Sequence, residues 1–357
     1  MHMLRFKRVG KRILQIGLLI LVVVFFLYYV KAEWGLLTVY AFQWNPWLLL
    51  LAFAGFLLQE VSYGLIWRAV LARLGQQLAL RTCLRIYLAS EFVRYIPGNV
   101  WHVLARILWV GKHGVSRPVA FASMTVELIT KLAAGAFIFA CSLLFWGGIG
   151  TVRTLLYGKP LVVGLSVVIM LALFVGLHPR VLNKILNVGL HLLKREPIVL
   201  TLCYSDIMLV SLAWCASWVV AGCAFYVLVL AVWPTLPLAA LPICVGIYAI
   251  GWDIGFVSFI TPGGLGFREG AIAGLLALSL PFLAVGPIVA ILSRLVSTLA
   301  ELVCVSIAYL SGGQQMRVVQ QEQASQLPVT HDGVEGKAID TPLSTTQIRI
   351  EGGGIRE

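Results

Sequence analysis

Charge is what this chain has least of. Only 12% of its 357 residues are charged while 60% are hydrophobic, and several apolar runs approach the roughly 20 residues that span a bilayer. A soluble fold is excluded on that ground. Acid is the scarcer sign, with 15 Asp and Glu against 27 Lys and Arg. The six histidines form no HxxxH or HExxH pair. The seven cysteines (Cys83, Cys141, Cys203, Cys215, Cys223, Cys244, Cys304) are odd in number, scattered, and show no CxxC spacing. Metal chemistry and a disulfide framework are therefore not expected, the cysteines read as small core residues, and no cofactor is implied. The glycine-rich stretch TPGGLG at 261–266 lacks the GxxxxGK[ST] pattern and a preceding strand, which excludes a phosphate-loop ATPase; no GxSxG elbow marks a serine hydrolase.

The basic excess belongs to the apolar part. Residues 1–310 hold 23 Lys and Arg against 9 Asp and Glu, whereas 311–357 hold 4 against 6. Basic residues beside apolar runs set topology and attract anionic head groups, so nucleic acid is a poor partner and membrane lipid a good one. The segment 311–357 is rich in Gln, Ser, Thr and Gly and reads as a disordered cytoplasmic tail after a membrane domain at 1–310.

Hydropathy predicts about six full spans: 13–30, 47–71, 119–146, 161–177, 207–232 and 285–310. The first has basic flanks and no A-x-A-like cleavage site, so it reads as a retained span. Clusters at Arg5–Arg12, Arg68–Arg85, Lys112–Arg117 and Arg180–Arg195 mark the cytoplasmic side and keep both termini there, as in a bacterial cytoplasmic membrane. Between Arg180 and Arg195, polar residues recur at helical spacing opposite Val181, Leu182, Ile185, Leu186, Leu190 and Leu193, predicting an amphipathic helix on the cytoplasmic face of the membrane.

Two apolar segments are interrupted, EFVRYIPGNVWHVLAR at 91–106 and SFITPGGLGFREG at 258–270. Lipid cannot hydrogen-bond a broken backbone, so a break at membrane depth is buried in protein or lines a wet cavity. Each segment is expected to form a re-entrant helical hairpin, the first within 80–117 turning at Pro97-Gly98-Asn99, the second within 238–283 turning at Thr261 to Gly264. Aligning Pro97 with Pro262 puts Gly98 on Gly263 and brings Glu127 near Arg294. The halves, about 47–146 and 207–310, then have opposite topology, an inverted repeat of the kind that holds a midplane site. Two unrelated kinks are the alternative, since membrane helices tolerate both Gly and Pro.

Ionisable residues at apparent membrane depth are Glu60, Glu91, Arg94, Arg106, Glu127, Lys131, Asp253, Arg268, Glu269, Arg294 and Glu301. Each costs roughly 2.5 kcal/mol or more at the bilayer centre unless paired or hydrated, so this many imply mutual compensation or a water-filled pocket. Glu91 with Arg94 and Glu127 with Lys131 share helix faces and can neutralise one another. Arg94, Arg106, Arg268 and Arg294 carry the guanidinium fork that suits phosphate oxygens, and Gly263, Gly264 and Gly266 let backbone N–H groups approach an anion.

At these residues the chain resembles the flippase-like membrane family that includes the transmembrane region of lysylphosphatidylglycerol synthases. The matching features are Arg94 followed by IPGN and Arg106, the KHGVSR stretch leading to Glu127, and above all TPGGLGFREG followed by Arg294, with coverage of about 14–310. The resemblance implies lipid translocation or presentation, with Arg94, Pro97, Gly98, Arg106, Glu127, Pro262, Gly263, Gly264, Gly266, Arg268, Glu269 and Arg294 around the head group. The full-length synthases add a soluble aminoacyl-transfer domain, which does not follow here, so lysine transfer is not implied. The expectation is an all-α polytopic membrane protein of six spans and two re-entrant hairpins that moves an anionic or sugar-bearing lipid between leaflets. The alternatives are a membrane-embedded transferase using Glu127, Asp253 or Glu269 as base, and a non-catalytic partner of a separate lipid-modifying enzyme.

Overall fold

Proline and small polar residues decide where these apolar helices begin. In the computed structural model, which describes residues 44–91, 93, 101–145, 168, 175–192, 202–258, 262–280 and 286–325, helix α1 covers Pro46–Arg73. Its cap is Asn45, whose side chain accepts from the N–H groups of Trp47 at 3.1 Å and Leu48 at 3.3 Å, while Pro46 sits where no intrahelical donor is needed. After α1 come α2 (Leu80–Glu91), α3 (Trp101–Gly111) and α4 (Arg117–Ser142), the last prolonged by a 3-10 turn at Leu143–Phe145. Next are α5 (Pro179–Leu192), α6 (Tyr204–Val232), a 3-10 turn at Leu238–Ala240, and α7 (Leu241–Val257). A tight turn at Pro262–Gly264 leads to α8 (Phe267–Ser279) and finally α9 (Gly286–Ser325). There is no strand among the described residues.

Among the described residues, five stretches are long and apolar enough to cross a membrane: Pro46–Arg73, Arg117–Phe145, Tyr204–Val232, Leu238–Val257 and Gly286–Ala308. Four coincide with spans expected from hydropathy. The fifth, Leu238–Val257, was expected as one arm of a re-entrant hairpin; its 20 residues carry a single charge, Asp253, and have the length of a crossing helix. In contrast, α2 and α3 have 12 and 11 residues, about 18 and 16 Å at 1.5 Å per residue, and are shorter than the roughly 30 Å hydrocarbon core. The expected spans at 13–30 and, for the most part, 161–177 lie outside the described residues, as do Pro97, Gly98 and Asn99.

Helix α6 is the hub, packed against α1, α4 and α7. Small residues permit the closest approaches: a Cβ on Gly55 of α1 would stand 2.7 Å from Cβ of Ala224 on α6, so any larger side chain there would push the two helices apart. Large rings fill the remaining space, with Trp67, Trp214, Trp218, Tyr63, Phe56 and Phe225 all essentially fully buried. The outside is equally apolar. Trp47, Leu50, Leu58 and Leu65 on α1, Leu209 and Leu212 on α6, and Leu299 and Ile307 on α9 face outward, as they must where the surrounding medium is hydrocarbon. The ionisable groups are inside: Glu60, Glu91, Arg106, Glu127, Lys131, Asp253, Arg268, Glu269, Arg294 and Glu301 are all buried.

The predicted amphipathic helix is α5, with Leu182 and Leu186 buried and Lys184, Ile185 and Val188 exposed; its Gly189 abuts the Phe121 ring of α4. The chain divides into two compact units, Met1–Gly313 and Gln314–Glu357. Composition changes at 311, but α9 does not stop there, and the described part of the second unit, 314–325, is helical. The rest of the tail lies outside the described residues.

Candidate functional site

The second interrupted segment builds its turn from three glycines at positive φ: Gly263 at 60°, Gly264 at 71° and Gly266 at 84°. An L side chain is strained in this region. At Gly264 a Cβ would also run into the backbone of Gly255 on α7, so the turn is pressed against the helix it follows. The sequence suggested that this glycine lets a ligand approach; in the structure the approaching group is the Gly255 backbone. Gly266 then caps α8. The Oε2 of Glu269 reaches back to accept from its N–H at 2.7 Å, which leaves Arg268 in the first turn and directs its side chain inward.

Arg268 is 4% exposed, and its Nε and Nη2 are buried with no hydrogen-bond partner among the described residues. The guanidinium carbon lies 4.9 Å from the centroid of the Tyr248 ring. Arg294 of α9 is engaged differently. Its Nη2 donates to the carbonyl of Gly263 at 2.9 Å and its Nε stands 3.6 Å from Oε1 of Glu269, so it ties α9 to the glycine turn and to the start of α8.

Arg106 is engaged by several partners at once. Arg106 of α3 donates from Nη1 to Glu127 at 2.7 Å, from Nε to Ser90 Oγ at 2.8 Å and from Nη2 to Glu91, and its guanidinium carbon lies 3.9 Å over the Tyr87 ring. Tyr87 in turn donates to Glu127 at 2.8 Å. Every nitrogen of this guanidinium is consumed, and α2, α3 and α4 are stitched together by it.

Lys131, one turn after Glu127 on α4, lies among rings. Its ammonium is 3.7 Å from the centroid of Tyr63, 3.8 Å from Trp252 and 5.0 Å from Trp214, distances at which cation–π attraction is appreciable in a desolvated site. Trp218 donates to the Lys131 carbonyl at 3.1 Å.

One cavity of about 70 Å³, room for several waters, is lined by residues of α2, α3, α4, α7, α8 and α9 and of the glycine turn. Arg106 and Glu127 line it from one side and Gly263, Arg268 and Arg294 from the other. Of the remaining expected site residues, Glu269, Gly264 and Gly266 shape the turn and the start of α8. Pro262 opens the turn, while Arg94, Pro97 and Gly98 lie outside the described residues. The cavity also has members that the ligand argument did not include: Glu91, His102, Lys131, Trp252 and Phe256. Trp252 and Phe256 are stacked, with centroids 5.4 Å apart and planes within 8°. Their spacing of four on one apolar helix was the available signal.

Compared with known protein families, the chain matches the lysylphosphatidylglycerol synthase TM region over residues 13–304. It belongs to that family. The match runs through both halves of the cavity and includes every residue named in it. Among curated proteins, none matches the chain. A family defined by the membrane part of a lipid-modifying synthase makes a lipid-related membrane role the natural context for a buried cavity walled by arginines.

Proposed function

We propose that the protein moves a lipid with a phosphate-bearing head group, either an anionic phospholipid or a lipid-linked sugar, between the leaflets of a bacterial cytoplasmic membrane. The observation that carries the reading is Arg268, a buried guanidinium with two nitrogens that meet no hydrogen-bond partner among the described residues, in a cavity at the N-terminus of α8. A buried cation with spare donors is unstable unless a polar guest or water completes it, and the fork geometry together with the helix N-terminus selects phosphate oxygens. Arg294 fastens the glycine turn and Glu269, the neighbour of Arg268, to α9. The hairpin made by α2 and α3 and the one made by α7 and α8 are the two halves of an inverted repeat in this reading, with the head group between them and access alternating from each leaflet.

Both termini are cytoplasmic in this scheme, because the basic clusters near Arg73, His113 and Lys184 all fall on one side. A cysteine introduced at His113 is expected to react with a membrane-impermeant maleimide only after cells are opened. A separate enzyme that modifies the same lipid is a partner in this scheme, tested by co-purification.

The direct test is leaflet exchange of fluorescent phosphatidylglycerol, and of a labelled polyprenyl-phosphate sugar, in proteoliposomes containing the full chain. Exchange of one of them well above protein-free liposomes is expected. Exchange of neither would overturn the proposal.

A further inference from the structure

Arg268 and Arg294 each border two cavities. One is the head-group cavity. The other is a polar recess of about 10 Å³, enough for about one water, lined by Gln59 and Glu60 of α1, Tyr248 of α7, and Ser297 and Glu301 of α9 together with the two arginines. Glu60 and Glu301 are both buried. Both line the same recess as Tyr248 and the two arginines. The titratable and charged groups around this pair are Tyr63 on α1, Tyr248 on α7, Arg268 on α8, and Arg294 and Cys304 on α9.

Among the described buried residues, carboxylates outnumber cations. Glu60, Glu91, Glu127, Asp253, Glu269 and Glu301 stand against Arg106, Lys131, Arg268 and Arg294. A phosphate entering the front cavity therefore meets arginines whose field is already offset from behind. Two anions competing for one guanidinium weaken each other's hold on it. For a transport site that is useful, because a guest must bind well enough to enter and loosely enough to leave.

We infer that Glu60 and Glu301 are positioning residues that compete with the lipid phosphate for Arg268 and Arg294, and so set the affinity low enough for release. This rests on the head-group reading above. It predicts a gain of affinity from deleting a buried carboxylate, an outcome that a purely structural role cannot produce.

The experiment titrates dioctanoyl phosphatidylglycerol into the full chain in mild detergent, followed by tryptophan fluorescence, with Glu60→Gln, Glu301→Gln and Ser297→Asp beside the wild type. Each glutamine variant is expected to bind on the order of tenfold tighter, and Ser297→Asp, which adds a carboxylate to the recess, on the order of tenfold weaker. In proteoliposomes the glutamine variants are expected to exchange labelled phosphatidylglycerol more slowly, release having become limiting. Glycerol phosphate is expected to bind far more weakly than the lipid; equal affinity would overturn the lipid as the source of the phosphate. Glutamine variants that unfold at the wild-type temperature and bind no tighter would overturn the competition alone. If neither glutamine variant folds, unchanged affinity in Ser297→Asp would do the same. A wild type that binds no lipid would overturn the head-group site and the competition with it.

Discussion

The two buried arginines on opposite sides of the cavity have opposite fates. Arg106 spends its donors on Glu91, Ser90 and Glu127 and lies on Tyr87, whereas Arg268, beside Tyr248, has no partner for Nε and Nη2 among the described residues. The difference originates in the neighbouring helices. α2 and α4 offer Arg106 two carboxylates and a hydroxyl at hydrogen-bonding distance. Glu269, the carboxylate adjacent to Arg268 in sequence, is turned back to cap Gly266 and meets Arg294 instead. A buried guanidinium can thus be a structural rivet or an open socket, and the side-chain name does not say which.

The sharpest way to break this contrast is to remove the rivet. Arg106→Leu leaves Glu91 and Glu127 buried without their shared cation, a loss expected to cost about 3–5 kcal/mol. Thermal unfolding in detergent should show most of the folded protein lost, with partial recovery when both carboxylates are also neutralised as Gln. An Arg106→Leu protein as stable as the wild type would show that the cluster is not structural.

A smaller effect is expected at the turn that presents the socket. Gly264→Ala meets both a φ of 71° and the backbone of Gly255, and should destabilise by about 1–3 kcal/mol, read as a lower unfolding temperature. Smaller again is Lys131→Met. It keeps the aliphatic stem but loses the cation–π contacts with Tyr63 and Trp252, a cost of about 1–2 kcal/mol that should appear with a change in tryptophan emission. Truncation after Ser325 removes a segment rich in Thr and Gly and too poor in apolar residues to build a core, and the expected change is within about 0.5 kcal/mol. A large loss on truncation would show that the tail packs onto the membrane domain.

How much of this was readable from the residues follows the same division. The apolar runs announced α1, α4, α6 and α9, because hydropathy over some 20 residues is a property of the run itself. Residues 262–270 announced the turn and the start of α8 that present Arg268, since positive-φ glycines followed by Arg and Glu are a local pattern with a local consequence. Pairing was not legible in this way. Glu91 and Glu127 both hold Arg106, which arrives on a different helix after a break, and no spacing along α2 or α4 announces it; Arg94, the partner expected for Glu91, lies outside the described residues. The rings around Lys131 come from α1, α6 and α7, so no spacing within α4 could reveal them. Leu238–Val257 reads in the sequence as one arm of a hairpin because it runs into the glycine turn, and the helix formed there is also long enough to cross.

The central claim is that Arg268 is the socket for a lipid phosphate, and leaflet exchange of labelled phosphatidylglycerol by Arg268→Lys in proteoliposomes tests it most directly. Lysine keeps the charge but loses the planar fork, so the account predicts exchange reduced by roughly tenfold or more with the unfolding temperature nearly unchanged. Exchange at the wild-type rate from a folded Arg268→Lys protein, and from Arg268→Ala beside it, would contradict the account.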